Sequence, residues 1–343
     1  MTSRERIIKA LNFEETDRLP RDLWFLESCR INYGEEVDRV AEEYPSDIGY
    51  PRYDPPRMPY QVGTTGLDLK YVDEWGCGWE AKEPGIIGEV VNRPIKDWSD
   101  LQSYRPPFQL VGKGMDRVNE SCAQSDKFML TGCCPRPFER MQFLRGSEQL
   151  YLDLAYGDKE VRQLCDMVHD YYMKEARAWM KTDVDGLMMM DDWGSQNALL
   201  ISPDMWKQIF KPLYRDYCDL AHSHGKQVFM HSDGMIEAIY PHLIEIGVNA
   251  LNSQLFSMDI EKLGRKYGGK ITFWGEMDRQ NLLPLGTRED IESAVKRLLK
   301  AFSHFDGGFI AQCEWGGDVS SENIRAVFGA FNQYGDVTTG RTR

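Results

Sequence analysis

No stretch of the 343-residue chain stays apolar for the roughly 18 residues that a membrane-crossing helix needs. The opening MTSRERIIKALNFEETDRLP has no apolar segment of the kind a secretory leader carries. Positive charge is in short supply: 41 Lys and Arg stand against 54 Asp and Glu, for a net charge of −13. No basic stripe of the kind that grips a phosphate backbone is present. Neither of the glycine-rich phosphate loops, GxGxxG and GxxxxGK[ST], occurs. There is no fixed-period repeat and no low-complexity segment. These absences predict a cytoplasmic protein that acts on a small molecule, with no nucleic-acid or membrane partner.

What is present is a large potential core, with 42% hydrophobic and 12% aromatic residues. The eight cysteines, at 29, 77, 122, 133, 134, 165, 218 and 313, are scattered and read as free thiols of a reducing compartment. The adjacent Cys133 and Cys134 leave an apolar run and read as packing residues.

Short apolar runs alternate with amphipathic helical stretches, the mark of a parallel α/β architecture. Strands are expected at 126–133, 184–191, 225–232, 248–254, 270–276 and 307–314, with two earlier ones at 18–25 and 46–50. Ser202 and Pro203 open a long helix that should run to about His224. Helical pattern also fills 137–156, 158–181, 235–246, 258–267 and 288–304. Eight strands in βα order predict an α/β fold of the (β/α)8 TIM-barrel type, with an open doubly wound sheet as the alternative. Residues 51–110, rich in Pro, Gly and Trp, interrupt the rhythm. They predict a loop and hairpin excursion near the barrel mouth, within one domain spanning 1–343.

In a parallel barrel the reactive groups stand at the carboxyl ends of the strands. Polar residues crowd there: Asp191-Asp192-Trp193, His231-Ser232-Asp233, Asn252-Ser253-Gln254, Glu276 and Cys313-Glu314. Buried without partners such groups are costly, so their convergence suggests a polar cup or a metal site. Each also has a plainer reading. His231 can satisfy backbone carbonyls, Asp191 and Asp192 can cap a helix, Asp233-Gly234 can be a turn, Glu276 and Glu314 can form ion pairs, and Cys313 can be an inert core thiol. His231 and Asp233 are two apart, so strand geometry puts both on one face.

Several blocks together resemble the uroporphyrinogen decarboxylase superfamily along nearly the whole chain. They are RERIIKALNFEETDRLPRDLWF, DVDGLMMMDDWGSQNALLISPDMWKQIFKPLYRDYCDLAHSHGKQVFMHSDG, WGEMDRQNLLPLGTREDIESAVKRLL and GGFIAQCEWGGDVSSENIRAVF. The arginine-rich motif with which porphyrinogen decarboxylases cradle their acidic substrate is missing: FLESCRINY stands in its place and keeps only Arg30. The resemblance is therefore to the corrinoid-dependent methyltransferase branch. It implies zinc held by His231, by Asp233 where the family has a cysteine, and by Cys313 ahead of Glu322-Asn323. It implies methyl transfer involving a corrinoid such as methylcobalamin on a partner protein, or a small methylated compound. Glu276 or Asp192 would orient groups or serve as general base. Asp191, Trp193, Asn252, Gln254 and Glu314 would contact substrate. A decarboxylase reading assigns charge stabilisation to Asp47 or Asp192. A third reading is a corrinoid- or tetrapyrrole-binding protein without chemistry.

Overall fold

A computed structural model describes residues 1–303 and 305–338 of the chain. Its strands in chain order are β1 (Arg21–Phe25), β2 (Ile48–Gly49), β3 (Lys70–Val72), β4 (Gly78–Glu80), β5 (Glu89–Asn92), β6 (Phe128–Met129), β7 (Gly186–Met190), β8 (Gln227–Ser232), β9 (Ala250–Ser253), β10 (Thr272–Gly275) and β11 (Phe309–Trp315). Strands β7 to β11 pair in sequence, all parallel, and β11 pairs with β1. Strand β2 pairs with β6, and Leu130 bridges to Gly186 to join β6 to β7. The result is a curled parallel sheet of eight strands in (β/α)8 order among the described residues.

The curl is not laddered all the way round. Between β1 and β2 a single backbone–backbone bond, Asp47 N–H to the Arg21 carbonyl (2.8 Å), is joined by side-chain bonds such as Leu23 N–H to Ser46 Oγ (2.9 Å) and Arg21 N–H to Asp47 Oδ2 (2.9 Å). The cause is local: Pro45 and Pro51 flank β2 and hold it to two residues, because proline donates nothing to a ladder.

Side-chain alternation builds two cores. Met188, Phe229, Trp274 and Ile310 fill the inside of the curl, with Trp24 and Met190 packed against them. Leu23, Leu187, Met189, Met230, Leu251, Phe273, Cys313 and Trp315 point the other way, into the layer shared with the helices. Helix Ser3–Leu11 is started by a Thr2/Glu5 capping box and puts Ile7 and Leu11 into the inner cluster. Its backbone meets residues just ahead of β6 and β11, so it plugs the amino-terminal end of the barrel. Each large side chain buried in this way contributes about 1.5–3 kcal/mol.

Two helical expectations need amendment. The stretch after Ser202 is two helices, Pro203–Ile209 and Lys211–Ser223, broken at Phe210 because Pro212 has no N–H to continue the first. The 137–156 stretch is also two, Pro137–Arg145 and Ser147–Tyr156, which meet at Gly146. No helix among the described residues is long and apolar enough to cross a membrane.

The excursion is a three-stranded antiparallel sheet, β3-β4-β5, rather than a hairpin. Trp75 packs edge-on against Tyr171 (4.5 Å) of helix Lys159–Trp179, beneath the Arg140 guanidinium. Trp79 stacks on Tyr71 and donates to Asp73, which also receives Arg140. Trp79 is therefore a packing residue, while Trp75 lines a cavity described below.

The loops leaving β7 and β8 touch backbone to backbone. The Gly194 N–H donates to the Asp233 carbonyl (3.0 Å), and a Cβ on Gly194 would lie 2.5 Å from Gly234 C and Met235 N. Gly234 itself has a φ of +79°. Gly194→Ala must push these loops apart and should cost about 1–3 kcal/mol. Urea unfolding checks this: the midpoint should fall at unchanged slope, and an unshifted midpoint would show that the crossing is loose.

Candidate active site at the barrel mouth

The carboxyl ends of β7 and β8 carry Asp192, His231 and Asp233, all turned to the inside. His231 Nε2 lies 3.6 Å from Asp192 Oδ1 and 3.4 Å from Asp233 Oδ1. One ligand atom from each of the three falls within 4.8 Å of the other two. The cluster is braced from below. His231 Nδ1 is 2.5 Å from Asn252 Oδ1, and Asn252 Nδ2 donates to the Trp274 carbonyl (2.7 Å) and Gln312 Oε1 (3.2 Å). Since the Asn252 amide nitrogen is committed as donor, its oxygen must accept. In the neutral ring the proton therefore sits on His231 Nδ1, and the Nε2 lone pair faces the carboxylates. Asp192 Oδ1 accepts the Asp233 N–H (2.9 Å), and Gln254 Oε1 accepts the Gly234 N–H (3.1 Å).

A cation of the chain's own sits beside this cluster. Arg279, in the loop after β10, ion-pairs with Asp233, with Glu276 (3.0 Å) and with Glu314 (2.8 Å). Three carboxylates from three strand ends thus share one guanidinium. Even so, Asp233 Oδ1 and both Glu276 oxygens are buried without a hydrogen bond among the described residues. The Arg279 Nε is close enough to Glu276 to attract it but lacks a hydrogen-bond angle. Burial pushes the Glu276 carboxyl up to about 8, against the pull of Arg279. For His231, burial opposes protonation, but the charges of Asp233, Asp192 and Glu276 outweigh it and hold the imidazole above its ordinary value.

These orphaned oxygens and the free Nε2 lone pair fit a divalent cation with nitrogen and oxygen ligands. His231, Asp233 and Asp192 would hold it, with Glu276 and Glu314 within the same carboxylate group. They do not fit a thiolate-ligated ion. Cys313 alternates away from Gln312 and Glu314, lies in the outer layer beside Leu23, and is fully buried. Burial pushes its thiol well up, as for an inert packing cysteine. Glu314, its neighbour, is the inward residue of that strand end.

Four other expectations are corrected in the same way. Asp191 faces outward, fully buried, and accepts the N–H groups of Phe138 (2.8 Å) and Glu139 (2.7 Å) and the Tyr214 hydroxyl (2.5 Å). It anchors the start of helix Pro137–Arg145 and is out of reach of substrate. Trp193 stacks on Phe138 (4.1 Å) and donates to Tyr214, so it too belongs to the helix layer. Asp47 precedes β2, at the amino-terminal end, and is tied by Arg6 (2.6 Å), Arg18 (2.7 Å) and the Arg21 N–H (2.9 Å). It is a structural carboxylate, remote from the mouth. Asn252, expected at substrate, is consumed in orienting His231.

The cluster adjoins a cavity of about 600 Å3 lined by Trp24, Tyr50, Met188, Met190, Asp22 and Glu314. Trp24 lies 5.3 Å from the His231 ring and donates to Asp22 Oδ2 (2.8 Å). Burial pushes the Asp22 carboxyl up to about 6. A second cavity of about 380 Å3, lined by Tyr53, Trp75, Arg140, Tyr172 and Glu175, shares Gly132, Cys133, Cys134 and Arg136 with the first. Sequence reasoning missed Arg279, Asp22 and Arg136. Asp22 was accessible to it, since the alternation that turns Trp24 inward turns Asp22 inward as well. Arg279 and Arg136 lie in loops, where no periodicity reports direction.

Comparison with known proteins follows from this geometry. A family profile described as Uroporphyrinogen decarboxylase (URO-D) matches residues 72–334. The methylcobamide:CoM methyltransferase MtbA of Methanosarcina mazei is 22% identical over 319 residues, which cover 88% of this chain and 89% of that protein. A solved methyltransferase from Methanosarcina mazei superposes with a TM-score of 0.71 at 17% identity, covering 97% of this chain and 99% of that one. The structural likeness bears on the fold.

Proposed function

The chain belongs to the uroporphyrinogen decarboxylase family, and from that premise we propose that it is a cation-dependent methyltransferase. It moves a methyl group between a corrinoid carried by a partner protein and a small acceptor or methylated compound at the barrel mouth. The observation that carries this reading is the Asp192/His231/Asp233 cluster, set beside a cavity large enough for a small substrate. The likeness to MtbA, whose name gives methylcobamide and CoM as its reactants, supports the methyl-transfer class.

A zinc or similar ion held there would supply Lewis acidity that keeps a thiol or hydroxyl acceptor ionised at neutral pH. The chain's own residues do the rest. Asn252 fixes the His231 ring so that Nε2 points into the mouth. Asp192 is the most exposed of the three and stands nearest to an entering substrate. Glu276, which keeps its proton at neutral pH because it is buried, can protonate the alkoxide or thiolate left when a methylated compound gives up its methyl group. Arg279 balances the carboxylates around them. Trp24, Met188 and Met190 exclude water from the side where the methyl group passes.

The test is anaerobic incubation of the zinc-loaded protein with methylcobalamin and a panel of thiols and phenols. Methylcobalamin absorbance should decay only with protein and acceptor together, and the decay should vanish in His231→Ala. Metal-independent decay, or none with any acceptor, would overturn the reading. The same preparation should not convert uroporphyrinogen to coproporphyrinogen. Arg30, the sole remnant of an arginine-rich segment, is spent on Asp38 (3.0 Å) and lies over Phe25. Steady formation of coproporphyrinogen would instead favour decarboxylation.

A further inference from the structure

The junction of the two cavities is marked by one guanidinium. Arg136 directly precedes helix Pro137–Arg145 and lines both spaces. Its neighbours in the same helix are fully committed. Arg140 reaches Asp73 at 2.9 Å and Glu74 at 3.5 Å, and Arg145 reaches Asp153 at 2.8 Å. Arg136 has no carboxylate within hydrogen-bond reach, although its guanidinium donates to the Cys134 thiol beside it. Its Nη2 meets the Met190 sulfur at 3.2 Å, and its Nη1 stands 3.9 Å from Glu139, beyond hydrogen-bond reach. A thioether is a weak acceptor, and a guanidinium carries five N–H donors in a planar fork. The side chain is 27% exposed, so its unmatched donors open onto the two cavities and are available to a ligand.

We propose that Arg136 is the anion-recognition residue of this cavity, and that the substrate taken there is a small organic monocarboxylate. Its carboxylate pairs with the Arg136 fork, and its apolar body lies along Trp24, Met188 and Met190. This rests on the reading that the cavity is the substrate site. A planar carboxylate matches the guanidinium edge in a two-bonded pair. A more highly charged group such as phosphate fits worse, because Asp22, Glu314, Glu74 and Glu175 also line the two spaces. Burial pushes Glu175 up to about 7, which eases its repulsion of one incoming negative charge but not of two.

The experiment compares benzoate, its neutral isostere benzamide and inorganic phosphate by calorimetric titration of the full-length protein, with no corrinoid present. Benzoate should bind at least about 10-fold more tightly than benzamide, the weight of a charge-assisted hydrogen-bond pair. Phosphate should bind more weakly than benzoate. Arg136→Gln should erase the preference for benzoate, and Arg136→Lys should keep part of it. The proposal is overturned if benzamide binds as well as benzoate, if phosphate binds better, or if none of the three binds. It is also overturned if the preference survives Arg136→Gln. The wild-type comparison decides the matter even where a variant folds poorly. A benzoate preference without methyl transfer would remove the methyltransferase reading alone, and methyl transfer without the preference would remove this one.

Discussion

In protein reconstituted with zinc, His231→Ala is expected to lower the retained ion from about one equivalent per chain to under a tenth, while Cys313→Ser leaves it unchanged. The contrast follows from orientation. His231 presents its Nε2 lone pair to Asp192 and Asp233, and Asn252 fixes that presentation from behind. Removing the imidazole takes away the single nitrogen donor of the cluster and leaves carboxylates that already have Arg279 as counter-ion. Cys313 is packed against the helix layer with its thiol held protonated by burial, so serine there disturbs packing but not the mouth. Elemental analysis of zinc-reconstituted, desalted protein reads both variants. Asn252→Ala should fall between them, since it frees the ring to turn without removing it. Retention of metal in His231→Ala with loss in Cys313→Ser would reverse the orientation argued for β11.

Arg279→Gln should be the most pH-sensitive lesion in the chain. In the native protein one guanidinium offsets Asp233, Glu276 and Glu314, and it is mostly buried. Removing one partner of such a group leaves the others uncompensated and should lower stability by about 3 kcal/mol at pH 8. The sign of the pH dependence comes from Glu276. Its folded value of about 8 lies above the ordinary 4.5, so between these the folded state holds a proton that the unfolded chain has released. Stability therefore declines as pH rises from about 4.5 to about 8 and levels off beyond. His231 acts in the same direction. The cluster favours its charged form, and that contribution is lost as pH rises through its elevated folded value. Without Arg279 the decline should be steeper. Near pH 5 the variant should approach the wild type, and added zinc should recover part of the loss at pH 8 by replacing one cation with another. Urea titrations at pH 5 and pH 8, with and without zinc, read all four corners. A penalty equal at both pH values would mean that Arg279 acts through packing.

How far the sequence could be read depends on where each residue sits. The parallel α/β order was legible because β-branched and apolar runs alternate with amphipathic helices, and the conspicuous strand ends do gather at one mouth. His231 and Asp233 were paired correctly because a strand turns every second residue to the same side. Applied with equal strictness, the same parity would have separated Asp192 from Asp191 and Glu314 from Cys313. In both cases the adjacent residue belongs to the outer layer. The pull of a family pattern that expects a cysteine ahead of Glu322-Asn323 hid this. Asp47 misled for another reason. A carboxylate beside a short strand looks alike at either end of it, and only the contacts from Arg6 and Arg18 reveal the amino-terminal side. Arg279 was illegible because loop residues follow no period, although its place three residues after Glu276 brings opposite charges within reach.

The central claim is that the mouth of this barrel binds a cation through nitrogen and oxygen alone. X-ray absorption at the zinc edge of the reconstituted protein tests it most directly. The account predicts one shell of light scatterers at about 2.0–2.2 Å with an imidazole contribution that disappears in His231→Ala. A sulfur shell at about 2.3 Å, lost in Cys313→Ser, would contradict it.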